Sequence, residues 1–130
     1  IKVFNHGEMS RDFTYIDDIV NGLVKFIENP ASKDAEWNAR KPNPSSSSAP
    51  YRIYNIGNNT SVNLMDFIGS IEISLNIKAK KDFQPMQAGD VVSTFADVSS
   101  LINDFDYKPT TCLNEGIQNF VNWYKSFYKV

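Results

Sequence analysis

The sequence predicts a mixed α/β chain of short strands and about four helices. Apolar residues recur every three or four positions in four stretches, the spacing of a helix face. Between them lie brief runs of β-branched and aromatic residues, each bounded by Gly, Asn or Pro. Apolar residues make up 42% of 130 positions, enough for one core and too many for wholesale disorder.

The elements follow in order. Residues 1–4 read as a strand, and Asn5-His6-Gly7 as a turn in which Asn and Gly tolerate positive φ. Residues 11–15 alternate in polarity and read as a short strand or extended stretch. From Asp17 the period changes. Ile16, Ile19, Val20, Leu23, Val24 and Ile27 recur at helical spacing, with Asp17 or Asp18 as cap and Asn29-Pro30 as stop. Residues 31–50 hold Pro42, Pro44, Pro50 and the serine run 45–48. They read as a Pro/Ser-rich surface loop rather than an interdomain linker, because too little chain flanks them for two cores. Residues 51–56 make the clearest strand, ended by Gly57-Asn58-Asn59. Asn63 reads as the cap of a helix carrying Leu64, Phe67, Ile68, Ile71 and Leu75, and Asn76 as its left-handed stop. A short strand over 77–83 and a loop with Pro85 and Gly89 follow. Asp97 reads as the cap of a short helix with Val98, Leu101, Ile102 and Phe105. The last helix spans 113–128, with Leu113, Ile117, Phe120, Val121, Tyr124 and Phe127 inward. Lys125 and Lys129 lie at its C-terminal end, where the helix dipole favours cations.

Several function classes are excluded. A net charge of −2 with dispersed lysines is not the basic face of a nucleic-acid binder. One cysteine and one histidine exclude an intramolecular disulfide and the Cys- or His-rich metal sites. Cys112 reads as a buried, inert thiol. No apolar run reaches the roughly 20 residues of a membrane helix, and no signal peptide is evident, so a cytoplasmic setting is expected. The chain opens in a strand-like run without an initiator Met, as expected for a piece of a larger protein. The six glycines are too scattered for a dinucleotide or phosphate-binding loop. No Tyr is followed four residues later by Lys, and no Gly-x-Ser-x-Gly elbow occurs. No catalytic centre is expected among these residues. Asp12, Asp17 and Asp18 could suggest a metal site, but capping explains the adjacent pair more simply. Trp123, Tyr124, Phe127 and Tyr128, at helical spacing, read as packing residues.

Three segments together resemble one family: residues 7–19 (GEMSRDFTYIDDI), 49–58 (APYRIYNIGN), and 86–91 with 94–97 (MQAGDV and TFAD). Their order and spacing resemble the C-terminal part of extended short-chain dehydrogenase/reductase nucleotide-sugar epimerases, and within these the UDP-glucuronate 4-epimerases. Glu115-Gly116 and Phe120-Val121-Asn122-Trp123-Tyr124 fit as well. The resemblance covers essentially residues 1–130 and implies the substrate-binding portion of a Rossmann-type epimerase. The parent would oxidise and re-reduce the sugar at its 4-position with NAD, bound by an upstream Rossmann domain that also carries the Tyr-Lys pair. Polysaccharide biosynthesis and a homodimeric parent are further implications.

By the same resemblance the chain keeps the grip on a UDP-sugar. Arg11 would contact the diphosphate, as its planar fork allows; the plainer reading is a surface ion pair with Asp12 or Asp17. Asp90 would accept from the ribose hydroxyls; the plainer reading is a turn residue after Gly89. Gln87 stands where galactose-type epimerases commonly carry a second arginine. Phe4 would border uracil and Phe13 would add a second wall, although Phe13 reads at least as well as core. Thr94 is a weaker candidate contact. A dehydratase, a decarboxylase or another epimerase of the superfamily is the second reading, and a non-catalytic nucleotide-binding or interaction module the third. In the family fold the strand over 51–56 and the helix before it meet the Rossmann sheet. Their edges would lie open here, favouring marginal stability or dimerisation through that strand.

Overall fold

In the computed structural model, which describes all 130 residues, nine elements follow one another. They are β1 (Lys2–Val3), a 3-10 turn (Phe4–Gly7), β2 (Ser10–Asp12), α1 (Ile16–Glu28), β3 (Ser61–Asn63), α2 (Leu64–Leu75), β4 (Asp82–Phe83), α3 (Ser99–Phe105) and α4 (Leu113–Tyr128). The fold is mixed α/β with four α-helices and short strands, as the periodicity predicts.

Local chemistry sets the turns. Asn5, His6 and Gly7 all take positive φ, which Asn and Gly adopt at low cost. The turn lets β1 run parallel to β4, in register Lys2 with Asp82 and Val3 with Phe83. A Cβ at Gly7 would lie 2.7 Å from the Met65 sulfur, so the same glycine also admits α2. Chain reversal then pairs β2 antiparallel to β3, Arg11 opposite Val62. Asn76 ends α2 in the left-handed conformation, as its position predicts.

The tightest packing joins α1, α3 and the 51–56 segment. Val98, Leu101 and Tyr107 are fully buried there, ringed by Phe26, Tyr54, Ile56 and Phe105. The Phe26, Tyr54 and Phe105 rings contact one another at 5.1–5.3 Å between centroids. Burial pushes the Tyr107 phenol above its ordinary pKa, and its hydroxyl donates to the Gly57 carbonyl at 3.4 Å. Ile68, Ile117 and Val121 are buried where α2 meets α4. Residues 31–50 carry no helix or strand. They turn on Asp34, Asn38 and Asn43, whose side chains each accept from the backbone N–H two residues on.

Four expectations are corrected and one, the open face of α1, is met. Residues 51–56 do not form a strand: only an isolated bridge joins Arg52 to Ser46. No neighbouring strand in this chain offers the segment a ladder. The cap position of α1 is Tyr15, and neither Asp17 nor Asp18 caps it. The Asp18 carboxylate is buried and accepts instead from the Thr110 and Thr111 backbone N–H groups at 3.2 and 3.1 Å. The apolar stripe of α1 points outward, as expected of a helix whose edge lies open, with Ile16, Val20, Leu23, Val24 and Ile27 all exposed. The periodicity is as expected, but the opposite face, with Asp18, Gly22 and half-buried Phe26, is the one that packs inward. On α4, Phe120, Tyr124 and Phe127 are exposed, and they contact Trp123 and Tyr128 rather than a core. That helix packs mainly on α2, with Gly116 against Tyr15, and Gly116, Ile117 and Val121 are its buried residues. Cys112 is exposed, at the cap position of α4.

One carboxylate staples α2 to the stretch before β4. Glu72 is buried and accepts from Lys81, from the Ala79 backbone N–H at 2.9 Å and from Lys78 at 3.1 Å. Lys81 above all, then the Ala79 N–H and Lys78, holds its pKa down from 4.5 to about 2. A depressed carboxyl pKa adds stability above about pH 4.5, and the gain fades as pH falls toward 2. Glu72→Gln is therefore expected to flatten the fall of the thermal midpoint between about pH 5 and pH 2.5, read by calorimetry. Leu101→Ala is expected to cost about 2–5 kcal/mol in urea unfolding, because a fully buried leucine leaves a cavity.

Candidate functional site

β2 carries the site. Its backbone is held on both edges, by β3 on one side and by residues 92–94 on the other. Ser10 donates its N–H to the Val92 carbonyl at 2.9 Å and accepts from the Thr94 N–H at 3.2 Å. The Ser10 and Ser93 hydroxyls hydrogen-bond at 2.8 Å.

The Asp12 side chain fastens this arrangement. One oxygen accepts from the Asn58 N–H at 2.8 Å, the other from Asn59 at 3.1 Å and Ala96 at 3.2 Å. Three chain segments thus meet on one carboxylate. Gly57 is required at the junction: a Cβ there would lie 2.4 Å from the Ala96 Cβ and 2.8 Å from an Asp12 oxygen. This role of Asp12 is not readable locally, because its donors lie 46 to 84 positions away.

Arg11 projects beside this anchor. Its Nη1 donates to the Ser10 and Val92 carbonyls at 2.8 and 3.1 Å. Its Nη2 donates to Asp90 Oδ1 at 3.0 Å, an ion pair between residues 79 positions apart. The partner is Asp90, not Asp12 or Asp17. Asp90 Oδ1 also accepts the Val91 N–H at 3.0 Å. Both side chains are partly exposed, 24% and 35%. Of the five guanidinium donors, three are used by these bonds and two point to no protein acceptor. Arg11 can therefore still donate to an anion, and Asp90 can still accept from hydroxyls.

The other candidates are distributed around this pair. The Thr94 hydroxyl accepts the Asp12 N–H at 3.4 Å, so Thr94 shares the surface. Gln87 is exposed, and its carbonyl accepts the Asp90 N–H, closing the turn that presents Asp90. Phe13 faces elsewhere: its ring stacks on Phe67 at 4.0 Å. With Phe67, Ile71, Ile117 and Phe120 it lines an apolar cleft of about 290 Å³ between β2, α2 and α4. Phe4 opens the 3-10 turn that packs beside β4 and is half-buried. No helix begins at a glycine-rich turn; the cap positions are Tyr15, Asn63, Val98 and Cys112.

In its element order the chain is similar over nearly its whole length to solved nucleotide-sugar epimerases. Residues 1–57 match the NAD dependent epimerase/dehydratase family. Protein CapI of Staphylococcus aureus is 48% identical over 99% of this chain and 39% of its own length. UDP-glucuronate 4-epimerase 1 of Arabidopsis thaliana is 40% identical over 95% of this chain and 28% of its own. Among solved structures, UDP-glucuronic acid 4-epimerase from Bacillus cereus, in complex with UDP-glucuronic acid and NAD, superposes with a TM-score of 0.73. It is 28% identical and covers 98% of this chain and 35% of that one. The chain is thus a relative of the extended short-chain dehydrogenase/reductase nucleotide-sugar epimerases and resembles UDP-glucuronate 4-epimerases over nearly its whole length. It spans about a third of the length of these relatives.

Asp12→Ala is expected to lower unfolding free energy by about 2–3 kcal/mol, because three backbone N–H groups lose a charged acceptor. Asp12→Asn, which keeps an acceptor oxygen, is expected to lose less. Urea denaturation of both variants checks the order.

Proposed function

We propose that this chain is the substrate-binding portion of an NAD-dependent UDP-glucuronate-type 4-epimerase, spanning residues 1–130 and inactive alone. The observation that carries the reading is the Arg11–Asp90 pair. A guanidinium suited to a diphosphate and a carboxylate suited to a ribose diol lie within 3.0 Å, on the segments whose motifs carry the family likeness. Arg11 takes the diphosphate oxygens, Asp90 the ribose hydroxyls, and Gln87 and Thr94 supply uncharged hydrogen bonds at the rim. Phe4 borders the base. Phe13, stacked on Phe67, holds β2 on α2 and serves as a wall for the uracil only if its ring is released.

NAD and the proton-transfer residues belong to a further portion of the protein. Its docking place is the outward stripe of α1, with Ile16, Val20, Leu23, Val24 and Ile27, together with the unladdered segment 51–56. Five apolar side chains on one helix face form a surface that a second body would cover. The longer relatives supply the motive: they have about twice as much chain again beyond the matched part. With NAD bound there, that portion would supply hydride transfer, and this chain would orient the nucleotide. A homodimeric parent working in the cytoplasm, in polysaccharide synthesis, completes the reading and rests on the resemblance alone. Loop 31–50 is a surface excursion with no part in the site.

The test is binding. UDP titrated into the chain and followed by NMR is expected to saturate, and Arg11→Ala is expected to weaken it at least about tenfold. Equal UDP affinity in the two proteins overturns the phosphate role. Epimerisation of UDP-glucuronate by the chain with added NAD overturns its inactivity alone.

A further inference from the structure

A second hollow lies at the far end of α1 from the β2 surface. It measures about 420 Å³ and is walled by Asn29, residues 30–35, Arg52 and Asp104. A smaller hollow of about 210 Å³ shares Arg52, Tyr54 and Phe105 with it and reaches Phe26. α1 has 13 residues and rises about 1.5 Å at each, so the hollow stands roughly 20 Å along the helix from Tyr15. Its floor is aromatic: the half-buried Phe26, Tyr54 and Phe105 rings, in contact with one another. Phe26 belongs to the inward face of α1, and Tyr54 packs on the core whereas Tyr51 and Ile53 stay exposed. The hollow is therefore separate from the apolar stripe where a second body docks. Two cations border the floor. Arg52 Cζ lies 6.0 Å from the Tyr54 ring centroid. One of the five guanidinium donors goes to Asp104 Oδ2 at 3.3 Å and another lies toward the Tyr54 oxygen, which leaves three without a protein acceptor. Lys33 takes part in no ion pair.

From this geometry we infer that the hollow binds a small aromatic monocarboxylate, with its ring on the Tyr54–Phe105 floor and its carboxylate between Arg52 and Lys33. The site shares no residue with the nucleotide grip and does not depend on it. A carboxylate matches the planar fork of Arg52, and a ring gains from packing on aromatic faces. Two acids also line the hollow and limit the charge it accepts. Asp104 Oδ2 accepts from the Tyr54 hydroxyl at 2.6 Å as well as from Arg52. Asp34 accepts from the Ser46 hydroxyl at 2.7 Å and from the Glu36 N–H at 3.0 Å. These two acids match Arg52 and Lys33 one for one, and each has donors of its own. A ligand with two or more negative charges would meet repulsion from both. A monocarboxylate sets its single charge on the donors they leave free. A neutral aromatic leaves those donors to water, and a carboxylate without a ring leaves the floor bare.

Benzoate is the probe, titrated into the native chain and followed through backbone amide shifts by NMR. Saturation is expected with a dissociation constant on the order of 1 mM, as for a fragment-sized ligand in an open hollow. The largest shifts are expected at Asn29, Lys33, Arg52 and Phe105, with Arg11 and Asp90 silent. Benzamide has the ring without the charge, and acetate the charge without the ring. Each is expected to bind at least about threefold more weakly than benzoate. Lys33→Ala and Arg52→Ala are each expected to weaken benzoate at least about threefold. Lys33 makes no ion pair, so its removal leaves the fold intact, and Lys33→Ala decides alone if Arg52→Ala lacks a native-like spectrum. No saturation by about 20 mM, or shifts centred on another surface, overturns the inference. Benzamide or acetate binding as tightly as benzoate overturns it, as does unchanged benzoate affinity in Lys33→Ala.

Discussion

The Asp12 carboxylate accepts three backbone hydrogen bonds from two segments that are far from it in the chain. The geometry of the β2 surface depends on it. Asn58 and Asn59 are drawn to one oxygen each, which fixes the turn after Gly57, and Ala96 is drawn to the second, which fixes the stretch after Thr94. Arg11, next in the chain, is thereby held with its side chain over residues 90–92. A glycine at 57 is the condition for this closeness, since any side chain there would collide with Ala96 and with Asp12 itself. A charged acceptor satisfying several backbone donors is stronger than the sum of neutral turns, and it needs no large core around it. That matters in a chain whose buried hydrophobic residues number only eight.

A second carboxylate works the same way. Asp18 joins α1 to residues 110–111, just before α4. The two aspartates, six positions apart, hold three distant segments onto one short stretch. The price of this economy is apolar surface left uncovered, on α1 and along the aromatic side of α4. The α1 stripe has the regular spacing of a face made to be packed, and nothing within these 130 residues packs it.

Much of the fold was legible beforehand, for reasons that differ by element. α2 and α4 announced themselves through helical spacing and through Asn76, whose left-handed stop is a local property. Helix α1 was legible in extent from its spacing, and its open face was expected from the family likeness alone. Periodicity reveals a stripe, and it does not say whether the cover comes from this chain. The 51–56 segment has every local mark of a strand, but a strand is a pairing, and the partner is not local. The side-chain roles of Asp12 and Asp18 were missed for a similar reason: capping is read within four residues, whereas their donors lie 46 to 93 positions away. Within the site, the meeting of Arg11 and Asp90 was expected from the family likeness alone; spacing in the sequence gives no hint of a contact across 79 residues. Phe13 shows the opposite case. Its alternation in a strand marks burial, and its ring is found stacked on Phe67.

The nucleotide grip of Arg11 and Asp90 stands or falls with where a nucleotide diphosphate settles on this surface. Mapping backbone amide shifts of the native chain at saturating UDP decides it. The footprint is expected around Arg11, Asp90, Val91 and Ser93, with the cleft beneath Phe13 and Phe67 unperturbed. Shifts confined to that apolar cleft, with Arg11 and Asp90 silent, would contradict it.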